Sequence, residues 1–325
     1  VNRRELVDIH DFDAIVDGAA EAFHRGLEGT GGLDDEPLAP GIAHSVKHDV
    51  EARVTLLRHE SDYRPTMAAS RDLFDLEGRS AIVTGGGTGL GSYFAEALAE
   101  AGANLLLCAR KPERCEAIAA ALRENLGSNA IAMRCDVRNK EQVEAVVARA
   151  ATEFGSVDIL VNNAGTSWGA PAAEYPLDGW QKVIDVNLTG LFLFSQAAGR
   201  EMIRAGRGKI VNIASVAAFG GAPPELMDAI AYSASKGGVV SLTRDLAVKW
   251  ARYGITVNAI APGWFPTEMS ESVLERSRDR FLERIPLGRF GAPNDLKGTV
   301  VFLASDASNF VTGQTLIVDG GQSVA

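Results

Sequence analysis

The chain has 325 residues, of which 46% are hydrophobic, and a formal net charge of −10. That length accommodates one large α/β domain with an appendage, or two domains. The acidic balance argues against a nucleic-acid partner and against an anionic membrane surface, and no window approaches the roughly 18 unbroken apolar residues of a membrane helix. Cys108, Cys115 and Cys135 form no metal-type or redox-type pair and read as reduced thiols of a cytoplasmic protein.

Charge is concentrated at one end. Residues 1–72 hold 8 basic and 15 acidic side chains and all five histidines, His10, His24, His44, His48 and His59. Nothing after residue 72 is histidine, so a Ser-His-Asp triad or a His-ligated zinc within the main domain is excluded. Periodicity predicts a helix over 11–28, with Phe12, Ile15, Val16, Ala19, Phe23 and Leu27 on one face. A Gly/Pro/Asp-rich linker spans 29–41, and a second helix is expected over about 43–60 with Val46, Val50, Val54 and Leu57 along one side. Neither helix can bury its stripe alone, so the segment is expected to lie on the main domain or on another subunit. His44 and His48 have a metal-capable i, i+4 spacing, but no Glu follows the first as in the zinc-protease motif, and a polar helix face is the simpler reading. The segment is acidic and lacks an apolar core region, the pattern of neither a transit nor a signal peptide. The division expected is an acidic helical extension, 1–72, and a dinucleotide-binding catalytic domain, 73–325.

From Gly78 onward, short apolar runs alternate with longer helical ones, the mark of βαβ units on a parallel sheet. The first strand, 80–84, runs into Gly85-Gly86-Gly87-Thr88-Gly89-Leu90-Gly91 and then an amphipathic helix, 92–101. Glycines at such a junction let backbone N–H groups approach a pyrophosphate, with the positive end of the helix dipole behind them. The second strand, 104–109, ends in Cys108-Ala109-Arg110-Lys111 with no acid. An acid there would accept from the adenosine ribose 2′-OH of NAD, whereas two cations suit the 2′-phosphate of NADP. NADP is therefore favoured over NAD, the alternative being that Arg110 is a solvated helix-start residue. A third strand, 130–135, ends at Asp136-Val137, placed to contact adenine, and a helix follows over 140–154. A fourth, 157–161, ends in Asn162-Asn163-Ala164-Gly165, small enough for backbone to pass close to a cofactor.

Ala231-Tyr232-Ser233-Ala234-Ser235-Lys236 puts a phenol and an ammonium on one helix face, a turn apart. An adjacent ammonium favours the phenolate, so Lys236 is expected to lower the Tyr232 pKa toward the range of efficient acid–base catalysis. Such a pair alone is also a common surface arrangement.

Taken together, Thr84-Gly85-x-x-x-Gly89-x-Gly91, Asn162-Asn163-Ala164-Gly165 and Tyr232-x-x-x-Lys236, in that order, resemble the short-chain dehydrogenase/reductase family over about residues 74–325. The resemblance implies a Rossmann-type, doubly wound seven-stranded parallel sheet, usually in a homotetramer or dimer. It implies that Asn187, within a helix over 177–205, is the catalytic Asn that supports a water relay. It further implies that Ser215, after a strand over 209–213, is the catalytic Ser and that Tyr232 is the general acid/base. Lys236 would bind the nicotinamide ribose, and Pro262-Gly263 and Thr267, after a strand over 255–260, would hold the carboxamide. The Gly313–Gly321 stretch resembles the last strand, near the usual subunit interface.

Ser215, Trp168, Phe219 and Trp264 are expected to contact substrate, within a mostly apolar wall that also includes Ala217, Leu226, Met227, Phe265 and Met269. Packing of these aromatics as a lid is the other reading. A lid helix over 271–289 carries Arg276, Arg278, Arg280, Arg284 and Arg289, of which one or two could receive a carboxylate or a carrier phosphate. Within the family the chain resembles gluconate 5-dehydrogenase-like sugar-acid or polyol enzymes and, alternatively, 3-oxoacyl-thioester reductases. A non-catalytic NADP-binding sensor or scaffold is the reading from another class. It would not need Asn187, Ser215, Tyr232 and Lys236 together.

Overall fold

The computed structural model describes residues 69–325, and the compact unit that contains them runs Ala68–Ala325. The helices expected over 11–28 and 43–60, and the His44/His48 pair, lie outside the described residues.

Seven strands among the described residues are β1 (Ser80–Thr84), β2 (Asn104–Ala109), β3 (Ala130–Arg134), β4 (Ile159–Asn162), β5 (Gly208–Ile213), β6 (Ile255–Pro262) and β7 (Thr315–Val318). They form one sheet in the order β3-β2-β1-β4-β5-β6-β7, with every neighbouring pair parallel. This is the doubly wound seven-stranded sheet that the family resemblance implies. Strands covered on both faces need apolar residues at successive positions rather than alternate ones. All five residues of β1 are buried accordingly.

The alternation of side chains then splits the core in two. Ala81, Val83, Leu105 and Leu107 face α1 (Gly89–Glu100), α2 (Pro112–Leu126) and α9 (Pro293–Ala304). Ile82, Leu106, Leu160, Ile210 and Val257 face α3 (Lys140–Phe154), α5 (Gly190–Ala205) and α6 (Ile230–Trp250). Each fully buried aliphatic side chain contributes roughly 1.5–3 kcal/mol.

Two predicted helices are not continuous. The one expected over 177–205 is α4 (Leu177–Ile184), a π-turn at Asp185–Thr189, and then α5. The lid expected over 271–289 is α7 (Glu271–Arg276) and α8 (Arg278–Leu282). Ser277, at φ −138° and ψ 31°, breaks the lid, and Gly288, at φ +65°, lies in the turn beyond it. No helix among the described residues is long and apolar enough to cross a membrane.

The sheet order reverses between β1 and β4, which opens a crevice beyond their carboxyl ends. At the opposite ends the same strands are tied by Asp158, 4% exposed. Its carboxylate accepts from the Ser80 N–H (3.0 Å), the Ser156 hydroxyl (2.5 Å) and Arg207 (3.0 Å), and its carbonyl accepts from the Lys209 N–H (2.9 Å). Asp158→Ala strands a buried N–H, so a loss of about 2–3 kcal/mol is expected in urea denaturation. Asp158→Asn, which keeps an acceptor, should lose less.

Candidate active site

At the crevice, β1 passes into α1 through the glycine turn. Gly85 (φ +66°) and Gly89 (φ +55°) occupy the left-handed region. A Cβ at Gly91 would stand 2.2 Å from Gly85 O. Thr88 gives α1 no side-chain cap, so the first-turn N–H groups of this 12-residue helix are not taken by a side chain there. This is a cradle that fits a dinucleotide pyrophosphate. Its floor is pinned by β4. Thr84 Oγ1 accepts from the Asn163 and Ala164 N–H groups, both at 3.0 Å, and Asn163 Nδ2 donates to Thr84 O (2.9 Å) and Gly85 O (3.2 Å).

The carboxyl ends of β5 and β6 add the other wall. A cavity of about 500 Å³ opens there. Gly85, Thr88, Gly89 and Leu90 line it, as do Asn163, Ala164 and Gly165. Pro262, Gly263 and Thr267 line it from β6, and Ser215, Tyr232 and Lys236 from β5 and α6. Gly87, Gly91, Arg110, Lys111, Asp136 and Val137 are not in that lining. Gly87 lies beneath Arg114 and Cys115, Gly91 against Gly85 and Val137 against Gly190. Arg110 and Lys111 are exposed at the tip of β2. Asp136 is held below the usual carboxylate range, first by its hydrogen bond with Arg138 (2.6 Å), with the Arg110 charge a smaller contribution.

The Tyr/Lys stretch is helical, as expected, in the first turns of α6. Lys236 is 4% exposed and donates to Ile213 O at 2.6 Å. Burial lowers its pKa to about 8. Tyr232 is half-buried, and its phenol hydrogen-bonds Ser215. Burial pushes that phenol up and the Ser215 bond pulls it part of the way down. The expected lowering by Lys236 is not observed. The ammonium lies 5.6 Å from the ring centroid and donates to the Ile213 carbonyl, so it does not bond the phenol oxygen.

Asn187 sits in the π-turn, 1% exposed. Its amide donates to Thr166 O (3.0 Å) and Ser235 Oγ (3.0 Å), and its Oδ1 accepts from Thr166 N–H (2.8 Å). Ser235 in turn donates to Tyr232 O (2.7 Å). Asn187 thus fixes the backbone that carries the phenol.

Of the residues expected at substrate, Ser215, Phe219 and Trp264 line the cavity. Trp264 packs against Phe281 in a tilted arrangement, with ring centroids 4.3 Å apart and an interplanar angle of 49°. Trp168 is a correction. It is not among the lining residues, and its ring packs against Gly179 with Lys182 over its face at 5.0 Å. The reason is local: the Tyr175 hydroxyl donates to Trp168 O and Ala170 N–H to Asp228 O, which turns this segment toward α4. Glu268, Gln322 and Ser323, which the sequence does not single out, also line the cavity, and of the five lid arginines Arg284 lines it. A second depression, about 620 Å³, lies at the opposite ends of the strands. Its Arg79 pairs with Asp306 and its Arg207 with Asp158.

Comparison with known proteins agrees with this geometry. A family model described as enoyl-(acyl carrier protein) reductase matches residues 85–323. The 2-dehydro-3-deoxy-D-gluconate 5-dehydrogenase of Escherichia coli (strain K12) is 42% identical over 253 residues, covering 76% of this chain and 96% of that protein. The 5-keto-D-gluconate 5-reductase of the same strain is 40% identical over 257 residues, covering 78% and 99%. A gluconate 5-dehydrogenase from Burkholderia cenocepacia J2315, solved in complex with NADP and tartrate, superposes with a TM-score of 0.75 at 41% identity, covering 79% of this chain and all of that one. The chain is an alcohol/ketone oxidoreductase that uses a nicotinamide dinucleotide. It belongs to the short-chain dehydrogenase/reductase family.

Burial of Lys236 has a titration consequence. An amine with a folded pKa near 8 and an unfolded pKa near 10.5 is protonated more in the unfolded state between those values, so stability rises with pH there. Between pH 7 and 9.5 the stability of the wild type relative to Lys236→Met should increase by about 2 kcal/mol. Parallel urea titrations at the two pH values measure it. A constant difference would mean that the ammonium is better solvated than its burial indicates.

Proposed function

We propose that this enzyme interconverts a secondary alcohol and a ketone on a sugar acid of the gluconate type, with NADP preferred over NAD. The observation that carries the reading is the Ser215–Tyr232–Lys236 cluster opening into one cavity with the glycine turn. The names of the relatives at 40–42% identity direct it to sugar acids. When bound, the nicotinamide gives or takes the hydride. In the reductive direction Ser215 Oγ donates to the ketone oxygen and steadies its developing charge. Tyr232 transfers its proton to that oxygen, and the carbonyl becomes a secondary alcohol. Lys236 provides positive charge beside the phenol and a donor toward the ribose. Asn187 acts as a positioning residue, because its amide is committed to Thr166 and Ser235. Gly85, Thr88, Gly89 and Leu90 hold the pyrophosphate, Asn163 to Gly165 pass beneath it, and Pro262, Gly263 and Thr267 hold the carboxamide end. Arg110, with Lys111, receives the 2′-phosphate.

The acidic charge supports the reading that neither nucleic acid nor an anionic membrane is a partner, and the family resemblance supports a cytoplasmic homotetramer or dimer. A second reading, reduction of a 3-oxoacyl thioester, is favoured by the apolar cavity wall of Phe219, Leu226, Met227 and Val273.

The deciding assay follows NADPH oxidation with 5-keto-D-gluconate, an acetoacetyl thioester and an aromatic diketone. The sugar acid is expected to give the highest kcat/KM by at least about tenfold, and a preference for the thioester would reverse the assignment. Tyr232→Phe should cut turnover at least roughly a hundredfold while NADPH affinity stays nearly intact. Near-normal turnover in that variant would remove Tyr232 from its role. Arg110→Ala should weaken NADPH at least about tenfold more than NADH, as measured by the two KM values.

A further inference from the structure

The geometry points to Arg284 as the receptor for the substrate carboxylate. This inference rests on the sugar-acid reading above and names the residue that would enforce it. The substrate side of the cavity is largely apolar, so a carboxylate entering it needs one cation. The charged side chains that line the cavity are Lys236, Glu268 and Arg284. Lys236 donates to Ile213 O, and Glu268 is paired with Arg114 at 2.6 and 2.8 Å. Arg284 has no ion-pair or side-chain hydrogen-bond partner among the described residues.

Its backbone is held in place from two directions. The Arg284 N–H donates to Phe281 O at 3.1 Å, and Leu287 N–H donates to Gly320 O at 3.1 Å. Gly320, at φ +66°, allows Ile285 to approach so closely that a Cβ there would lie 2.8 Å from its Cγ2. The C-terminal segment so fixed also brings Gln322 to the cavity. Gln322 Oε1 is buried and accepts no hydrogen bond. Arg284 is exposed, and a guanidinium fork with no partner among the described residues suits a substrate that carries a carboxylate.

The test uses the full chain. D-Gluconate is titrated into enzyme saturated with NADPH, a combination that does not turn over, and binding is read by calorimetry. Arg284→Gln is expected to weaken gluconate at least about tenfold, and Arg284→Lys to recover part of the loss. Equal affinities across the three proteins overturn the assignment, and so does a wild type that binds no gluconate. Turnover then separates the two readings. The ratio of kcat/KM for 5-keto-D-gluconate to that for L-sorbose, which carries CH2OH in place of the carboxylate, should fall at least about tenfold in Arg284→Gln, through KM. If the wild type reduces the keto acid and the ratio does not move, Arg284 is wrong and the activity stands. If gluconate binding depends on Arg284 while neither ketone is reduced, the carboxylate site stands and the proposed reaction falls.

Discussion

A single ammonium group held almost out of water sets the geometry of the site. Lys236 is 4% exposed and its close donor contact is to Ile213 O, the last carbonyl of β5. That contact fixes the start of α6 against the end of β5, and with it the height of Tyr232 above Ser215. The surrounding framework is polar and shared among elements. Asn162 Nδ2 donates to Ser195 Oγ (3.0 Å) and Asn212 Oδ1 (2.9 Å), and Asn212 Nδ2 donates to Thr243 Oγ1 (3.0 Å). β4, β5, α5 and α6 are thereby cross-tied within an otherwise apolar core, where such bonds are strong and slippage would leave groups unpaired. Close approach of the π-turn to α6 is permitted by Gly238, where a Cβ would meet Leu188 at 2.9 Å.

Burial shifts the phenol of Tyr232 and the amine of Lys236 toward their neutral forms, since low polarity disfavours charge of either sign. The phenol of Tyr232 moves up and the amine of Lys236 moves down to about 8. A phenol that keeps its proton is in the state a proton donor needs. An amine poised near 8 is still mostly charged at neutrality, so it can offset negative charge appearing on the phenol as the proton leaves. Spacing in the sequence presents the pair only as an ammonium beside a hydroxyl. The desolvation that reverses the resting direction comes from packing between β5 and α6, and no local spacing reveals it.

Much of the architecture was legible because period and punctuation agreed. β2 and α3 match the residue runs read from the chain, and the glycine turn stands between strand and helix as its composition required. What escaped notice depends on contacts between distant segments. The π-turn around Asn187 forms because Gly190 packs onto Val137 and the Asn187 amide reaches Thr166 and Ser235, none of which helical periodicity encodes. The position of Trp168 after β4 suggests pocket lining, yet the Tyr175 hydroxyl within its own loop and the Ala170–Asp228 bond beyond it turn it away. In the sequence Arg284 is one of five arginines over 276–289, and the packing of the 284–287 turn against Gly320 is what sets it apart.

The apolar cavity wall and a charged hydroxy-acid substrate are physically compatible. Phe219, Leu226, Met227, Trp264 and Phe281 make the lining poor in water-like partners. Arg284 is exposed, so an ion pair it makes with a carboxylate is screened by water, and its main contribution is the bidentate geometry that fixes the orientation of the chain attached to it. The ketone carbon is then located by two ends, the carboxylate at Arg284 and the oxygen between Ser215 and Tyr232. A ligand held only by apolar contact would slide along the wall, because such contact is non-directional. One cation on the lining of a largely apolar cavity can therefore set both which substrate enters and which of its carbons meets the hydride.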